Sequence, residues 1–120
     1  MAPPTILAVI TDLMFQSRLR EQAQALGYTF AVADTPETLD AALDAAPALV
    51  VLDLEIVDVD WGIVVKATKE RHVPILAFGR HTRAQQLRSA RDAGCDRVVP
   101  RSTFVEELPQ LIAELAPAGT

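Results

Sequence analysis

The chain has 120 residues and a mass of 13.0 kDa, half of its residues are apolar, and it holds a single cysteine, Cys95. That supply suits one compact domain with its own core, and excludes two domains, a disulfide scaffold and a membrane-spanning helix. Net charge is −5, which argues against a dedicated nucleic-acid binder; nine of the eleven Lys and Arg fall within residues 62–101 against three acids, so that stretch carries +6 and the remainder −11. The opening Met1-Ala-Pro-Pro has no basic n-region, which leads us to expect a cytoplasmic protein.

In chain order, the apolar run Thr5–Thr11 predicts a strand buried on both faces. Phe15, Leu19, Ala23 and Leu26 then fall on one stripe of a helix, ended by Gly27. Tyr28–Ala33 predicts a second strand, and Thr35-Pro36 reads as an N-cap with Pro at the first helical position. Leu39, Ala42, Leu43 and Ala46 form the apolar stripe of that helix. Ala48–Asp53 is the most apolar strand. Trp61–Arg71 is helical because a parallel crossover is needed there, although Gly62 and Val64-Val65 weaken its propensity. Val73–Phe78 predicts a strand, Thr82–Ala93 a helix closed by Gly94, and Arg97–Pro100 the last strand. Thr103-x-x-Glu106 reads as a capping box opening a final helix that carries Leu108, Leu111, Ile112 and Leu115. The sum is an α/β protein, (βα)5, with a doubly wound five-stranded parallel sheet in one domain over residues 1–116 and a loose tail over 117–120.

In such a fold, chemistry gathers at the carboxyl edge of the sheet. Here that edge offers Thr11, Asp12, Asp53, Gly79, Arg80 and Arg101. No GxGxxG, GxxxxGK or GxSxG occurs, and the loop Thr11–Ser17 has no glycine, which excludes dinucleotide, P-loop and elbow-serine chemistry and argues against a flavin carrier. Cys95 reads as a packing residue, His72 and His81 as surface residues, and Trp61 as core filler or loop anchor. Asp53 stands out, because it ends the most apolar strand, where a carboxylate needs a function or a partner. A structural reading, in which it pairs or caps the next loop, stays open beside the functional one.

Ile6-Leu-Ala-Val9, Leu26-Gly27-Tyr28, Pro47-Ala-Leu-Val-Val-Leu-Asp53, Val73-Pro-Ile-Leu76 and Ala93-Gly94-Cys95-Asp96 follow one another at spacings that resemble the receiver domain of two-component response regulators. The resemblance covers nearly the whole chain and implies a flavodoxin-like fold. It places the phosphoacceptor position on Asp53. It places the family's Mg²⁺-binding acidic pair on Ile10 and Thr11, with Asp12 displaced by one residue; the switch hydroxyl on Gly79; the lysine on Arg101, followed by Ser102 in place of proline; and the aromatic switch on Val98. The proline and glycine that shape the loop after the acceptor become Val57 and Trp61, with Asp60 and Gly62 nearby.

Asp53 beside Ile10 is a poor Mg²⁺ site, since that ion takes near-octahedral oxygen ligation with one or two carboxylates. The resulting expectation is an atypical receiver with no cofactor and no catalytic residue, acting in signal transduction by protein contact independently of phosphorylation. Arg101, permanently charged and able to grip a carboxylate with two N–H groups, is expected to pair with Asp53 in the metal's place. The resemblance puts output and self-association on the face that here supplies Arg80, Arg83, Arg88, Arg91 and Arg97, so the expected partner is an acidic protein surface or a second copy, rather than nucleic acid or membrane. The alternative keeps Asp53 as phosphoacceptor for a histidine kinase, with Asp12 helping to hold Mg²⁺. A further alternative is a small metal-dependent enzyme built on Asp53 and Asp12.

Overall fold

The computed structural model describes residues 3–116, so the predicted tail over 117–120 lies outside the described residues. Five strands, β1 (Thr5–Val9), β2 (Thr29–Val32), β3 (Leu49–Asp53), β4 (Ile75–Gly79) and β5 (Arg97–Pro100), alternate with α1 (Leu13–Ala25), α2 (Pro36–Asp44), α3 (Trp61–Glu70), α4 (Ala84–Asp92) and α5 (Arg101–Leu115). All strand pairings are parallel, in the order β2-β1-β3-β4-β5. The order reverses between β1 and β3, and the crevice outside their carboxyl ends is where the fold collects ligands and chemistry.

The continuous apolar runs are explained by burial on both sheet faces. Ile6, Ala8, Leu49, Val51, Leu76 and Phe78 pack with Leu19 of α1 and Phe104, Leu108 and Ile112 of α5. Leu7, Val9, Val50, Leu52, Ile75 and Ala77 pack with Leu39, Val64 and Leu87 of α2, α3 and α4. Side-chain alternation along a strand therefore carries Ile10 and Asp53 to the α1/α5 side, next to Phe78, which pairs in register with Asp53.

Thr35 caps α2, accepting from the Thr38 N–H while Thr38 reaches back. Gly27 and Gly94 take positive φ, +90° and +109°, at the ends of their helices. Trp61–Glu70 is a helix despite its weak propensity, with Asp60 accepting from the Gly62 N–H at 2.8 Å.

Some expected boundaries move. β1 ends at Val9, not Thr11, because Asp12 caps α1 and the chain must leave the sheet two residues earlier to do so. β4 runs from Ile75 through Gly79, and α4 begins at Ala84 rather than Thr82. The capping box Thr103-x-x-Glu106 does not form: α5 begins at Arg101, directly after β5, with Pro100 as an N-cap that makes no side-chain hydrogen bond, and Thr103 lies inside the helix. Pro109 cannot donate to the helix ladder and crowds the preceding turn, and the backbone departs from helical geometry at Glu107 (φ −116°, ψ 17°).

Candidate functional site at the carboxyl edge

Asp53 closes β3 with only 2% of its surface exposed, one of two buried polar residues in the described chain. Its Oδ1 accepts the Glu55 N–H at 2.9 Å. Burial raises the carboxyl above its ordinary 3.8; the Glu55 N–H and the Arg101 charge oppose that rise, while the charges of Glu55 and Asp12 add to it. The expected Asp53–Arg101 ion pair does not form. The Arg101 guanidinium instead lies over the Phe15 ring, 5.1 Å from its centroid, and its Nε is buried without a hydrogen-bond partner. Phe15 stands on the stacked pair Phe78 and Phe104, whose centroids are 4.1 Å apart, so an aromatic tier supports the cation beside the carboxyl.

Asp53→Asn keeps an oxygen to accept the Glu55 N–H and removes a poorly compensated buried charge. We expect it to stabilise the fold at neutral pH by on the order of 1 kcal/mol. The folded carboxyl holds its proton more tightly than the unfolded one, so the parent loses stability as pH rises through the folded pKa. The advantage of the variant therefore vanishes below 3.8 and is full at neutrality. Urea denaturation of both proteins at acid and neutral pH measures this.

The other positions implied by the resemblance are occupied by structural roles. Ile10 is 2% exposed and belongs to the apolar layer under α1 and α5. Thr11 donates to Asp58 Oδ2 at 3.2 Å. Asp12 is an N-cap whose Oδ1 accepts from Met14 at 2.8 Å and Phe15 at 3.3 Å. A side chain at Gly79 would meet Leu87 at 3.2 Å and Leu54 at 3.3 Å, so apolar packing fills the space of a switch hydroxyl. Val98 is buried in the layer on the opposite face of the sheet. Among the described residues, no group of three or more His, Cys, Asp or Glu is placed to hold a metal ion. Cys95 is buried, and that burial, with Asp96 beside it, pushes its thiol up to about 11, out of the reactive range.

Sequence reasoning missed Glu55. Its half-hidden carboxylate takes the Nε groups of both Arg80 and Arg83 on one oxygen, each at 3.2 Å, and the Gln86 amide donates to the Leu54 carbonyl at 3.2 Å. The turn after β3 is thereby clamped to the start of α4. Only the proximity of Glu55 to Asp53 in the sequence hinted at it. The same contacts bear on the expected arginine face. Arg97 pairs with Glu114 at 3.1 Å, Arg91 donates to the Val98 carbonyl at 3.3 Å, and Arg88 reaches Gln85 at 3.4 Å. Arg80, Arg83 and Arg97 are thus engaged with carboxylates of their own chain.

No family model matches the sequence, and no curated protein matches it. Solved structures do. The fold is the doubly wound class expected, and it is specifically that of response-regulator receiver domains. The signal receiver domain of a DNA-binding response regulator (merR) from Colwellia psychrerythraea 34H superposes with a TM-score of 0.79 at 18% identity, covering 93% of this chain and 97% of that one. The receiver domain of a putative Luxo repressor protein from Vibrio parahaemolyticus gives 0.79 at 14%, covering 94% and 89%. NtrX from Brucella abortus, in complex with ADP, gives 0.79 at 24%, covering 97% of this chain and 27% of that longer one. At these identities the likeness is one of fold.

Proposed function

We propose that this chain is a receiver-type signalling domain that works by protein contact, without phosphoryl transfer at Asp53. The observation that carries the reading is the shortage of free carboxylate oxygens around Asp53. Ile10 and Thr11 supply none, and the nearest replacement, Asp12, has an oxygen committed to the N–H groups that open α1. This donor set does not fit Mg²⁺, which takes hard oxygen ligands in near-octahedral geometry. Phosphoryl transfer depends on a cation to offset the charge that develops on the moving group, so the chemistry has no support here. The apolar packing over Gly79 and the Glu55 clamp supply the second line of support, because they tie the turn after β3 to the start of α4 through contacts that do not involve the Asp53 carboxyl. On this reading no residue is catalytic and the domain is an adaptor. No helix among the described residues is long and apolar enough to cross a membrane.

Incubation with acetyl phosphate and Mg²⁺, followed by intact mass spectrometry, tests it. The expected spectrum is that of the unmodified chain. A phosphoryl adduct that disappears in Asp53→Asn would restore the phosphoacceptor reading, with a histidine kinase as the partner.

A further inference from the structure

The sheet ends on two strands, β2 and β5, that are each paired on one side only. Such an edge presents a row of unpaired N–H and C=O groups, and proteins close it with charge, proline or early termination. β5 is closed in this way: Arg97 opens it in an ion pair with Glu114, and it stops at Pro100, where α5 starts on the next residue. β2 reads Thr29-Phe30-Ala31-Val32, with neither a charged residue nor a proline.

The register says which groups of β2 are open. Thr29 lies opposite Thr5 and Ala31 opposite Leu7, and the N–H groups of Thr29 and Ala33 donate to the Pro4 and Ala8 carbonyls at 2.9 and 3.0 Å. In a parallel ladder alternate residues turn both backbone groups to the same neighbour, so Phe30 and Val32 turn theirs away from β1. The Thr5 and Thr29 hydroxyls, 2.6 Å apart, add a side-chain tie that holds the strand in place. Val32 is 39% exposed. Because side chains stand off the faces of a sheet, Arg20, whose guanidinium lies 5.1 Å from the centroid of the Phe30 ring, covers a face of β2 and not its edge.

Charge selects the occupant. Asp34 and Glu37 follow β2 directly, both are exposed, and neither pairs with a cation among the described residues. Residues 1–61 as a whole hold ten carboxylates against Arg18 and Arg20. Two copies meeting β2 to β2 across a two-fold axis would set these like charges against each other, whereas a basic segment complements them.

We propose that β2 is a strand-addition site for an extended, basic segment of a partner protein. The segment pairs with the outward N–H and C=O groups of Phe30 and Val32 and sets Lys or Arg against Asp34 and Glu37. Main-chain hydrogen bonds supply affinity in this mode, and the alternating side chains supply choice of partner. The proposal rests on the reading of the chain as a contact module, and it puts the contact at the edge of the sheet away from β5 and the arginine face.

The test is amide hydrogen exchange of the ¹⁵N-labelled protein, alone and with a short synthetic peptide of alternating valine and lysine. In the protein alone, the Phe30 and Val32 amides should exchange quickly while those of Ala31 and Ala33 are protected. The peptide should protect Phe30 and Val32 as well, with salt-sensitive shift changes centred on residues 29–37. Binding should be weaker by about tenfold or more for a valine–glutamate peptide, for the lysine peptide N-methylated on alternate residues, and in Val32→Pro. That variant removes an outward N–H, which an edge strand tolerates, and an unchanged melting temperature certifies it as folded; the N-methylated peptide probes the same bonds on the unaltered protein. Equal binding of the lysine and glutamate peptides, full binding of the N-methylated peptide, shifts mapped to another element, or no binding would each overturn the proposal. Protection of Phe30 and Val32 that grows with protein concentration alone would also overturn it, by making a second copy the occupant. A phosphoryl adduct at Asp53 would leave this exchange pattern standing, and a failed exchange experiment would leave the acetyl phosphate result standing, so the two readings fail separately.

Discussion

Placing a carboxylate at Ile10, where receiver domains carry one, lowers stability by roughly 3–5 kcal/mol in Ile10→Asp at neutral pH. Ile10 is 2% exposed and packs in the layer of Leu19, Phe78 and Phe104. The change removes most of an apolar side chain and inserts a charge beside Asp53, whose burial the Arg101 charge offsets only in part. The second effect is the larger at neutral pH, because burial and the neighbouring acid both favour the protonated form. Stability relative to the parent therefore falls as pH rises through the folded pKa of the new acid and recovers in part below the ordinary Asp value, leaving the packing loss alone. Thr11→Asp, at an exposed position, loses the hydrogen bond to Asp58 and sets two water-screened carboxylates side by side, so it costs only about 1 kcal/mol. Denaturant unfolding at two pH values separates the terms. A stable Ile10→Asp protein would mean that the edge is wetter and more permissive than the packing indicates.

Phe104→Ala is expected to cost about 3–5 kcal/mol. Phe104 is fully buried, stacks on Phe78 and touches Phe15, which carries the Arg101 guanidinium. Truncation opens a cavity between α5 and the sheet and removes the floor beneath that cation. The thermal midpoint should fall by more than about 10 °C, and the backbone signals of Arg101 and Asp53 should move with it. Arg101→Ala, by comparison, keeps the aromatic tier and removes a charge that lowers the Asp53 pKa, so the carboxyl of Asp53 should titrate higher still.

Much of this architecture is legible in the sequence, because a parallel sheet buried on both faces writes itself as short continuous apolar runs, and Ala48–Asp53 and Val73–Phe78 are such runs. Helix ends marked by a glycine in the left-handed region, Gly27 and Gly94, are equally plain. Where two signals compete, the reading slips. Thr103 and Glu106 have the spacing of a capping box, yet the helix that buries Phe104 starts directly at the end of β5. Asp12 looked like a displaced metal ligand, and the N–H groups of α1 claim its oxygen. At the site, opposite charges at the sheet edge suggested that Asp53 and Arg101 would meet. What that view lacked was Phe15, whose helical spacing marks it as core while its ring also receives the guanidinium. The Glu55 clamp was beyond reach for a related reason: its partners come from the loop after the next strand, and sequence spacing does not say which of several arginines that loop turns inward.

Beryllofluoride mimics a phosphoryl group on aspartate, and its capture requires the carboxylate and a divalent cation held together. Backbone amide spectra of the protein recorded with and without beryllofluoride and Mg²⁺ therefore examine the shortage of carboxylate oxygens around Asp53 directly. Superimposable spectra are the predicted result. Saturable shifts that begin at Asp53 and spread through Gly79 into α4 would contradict it.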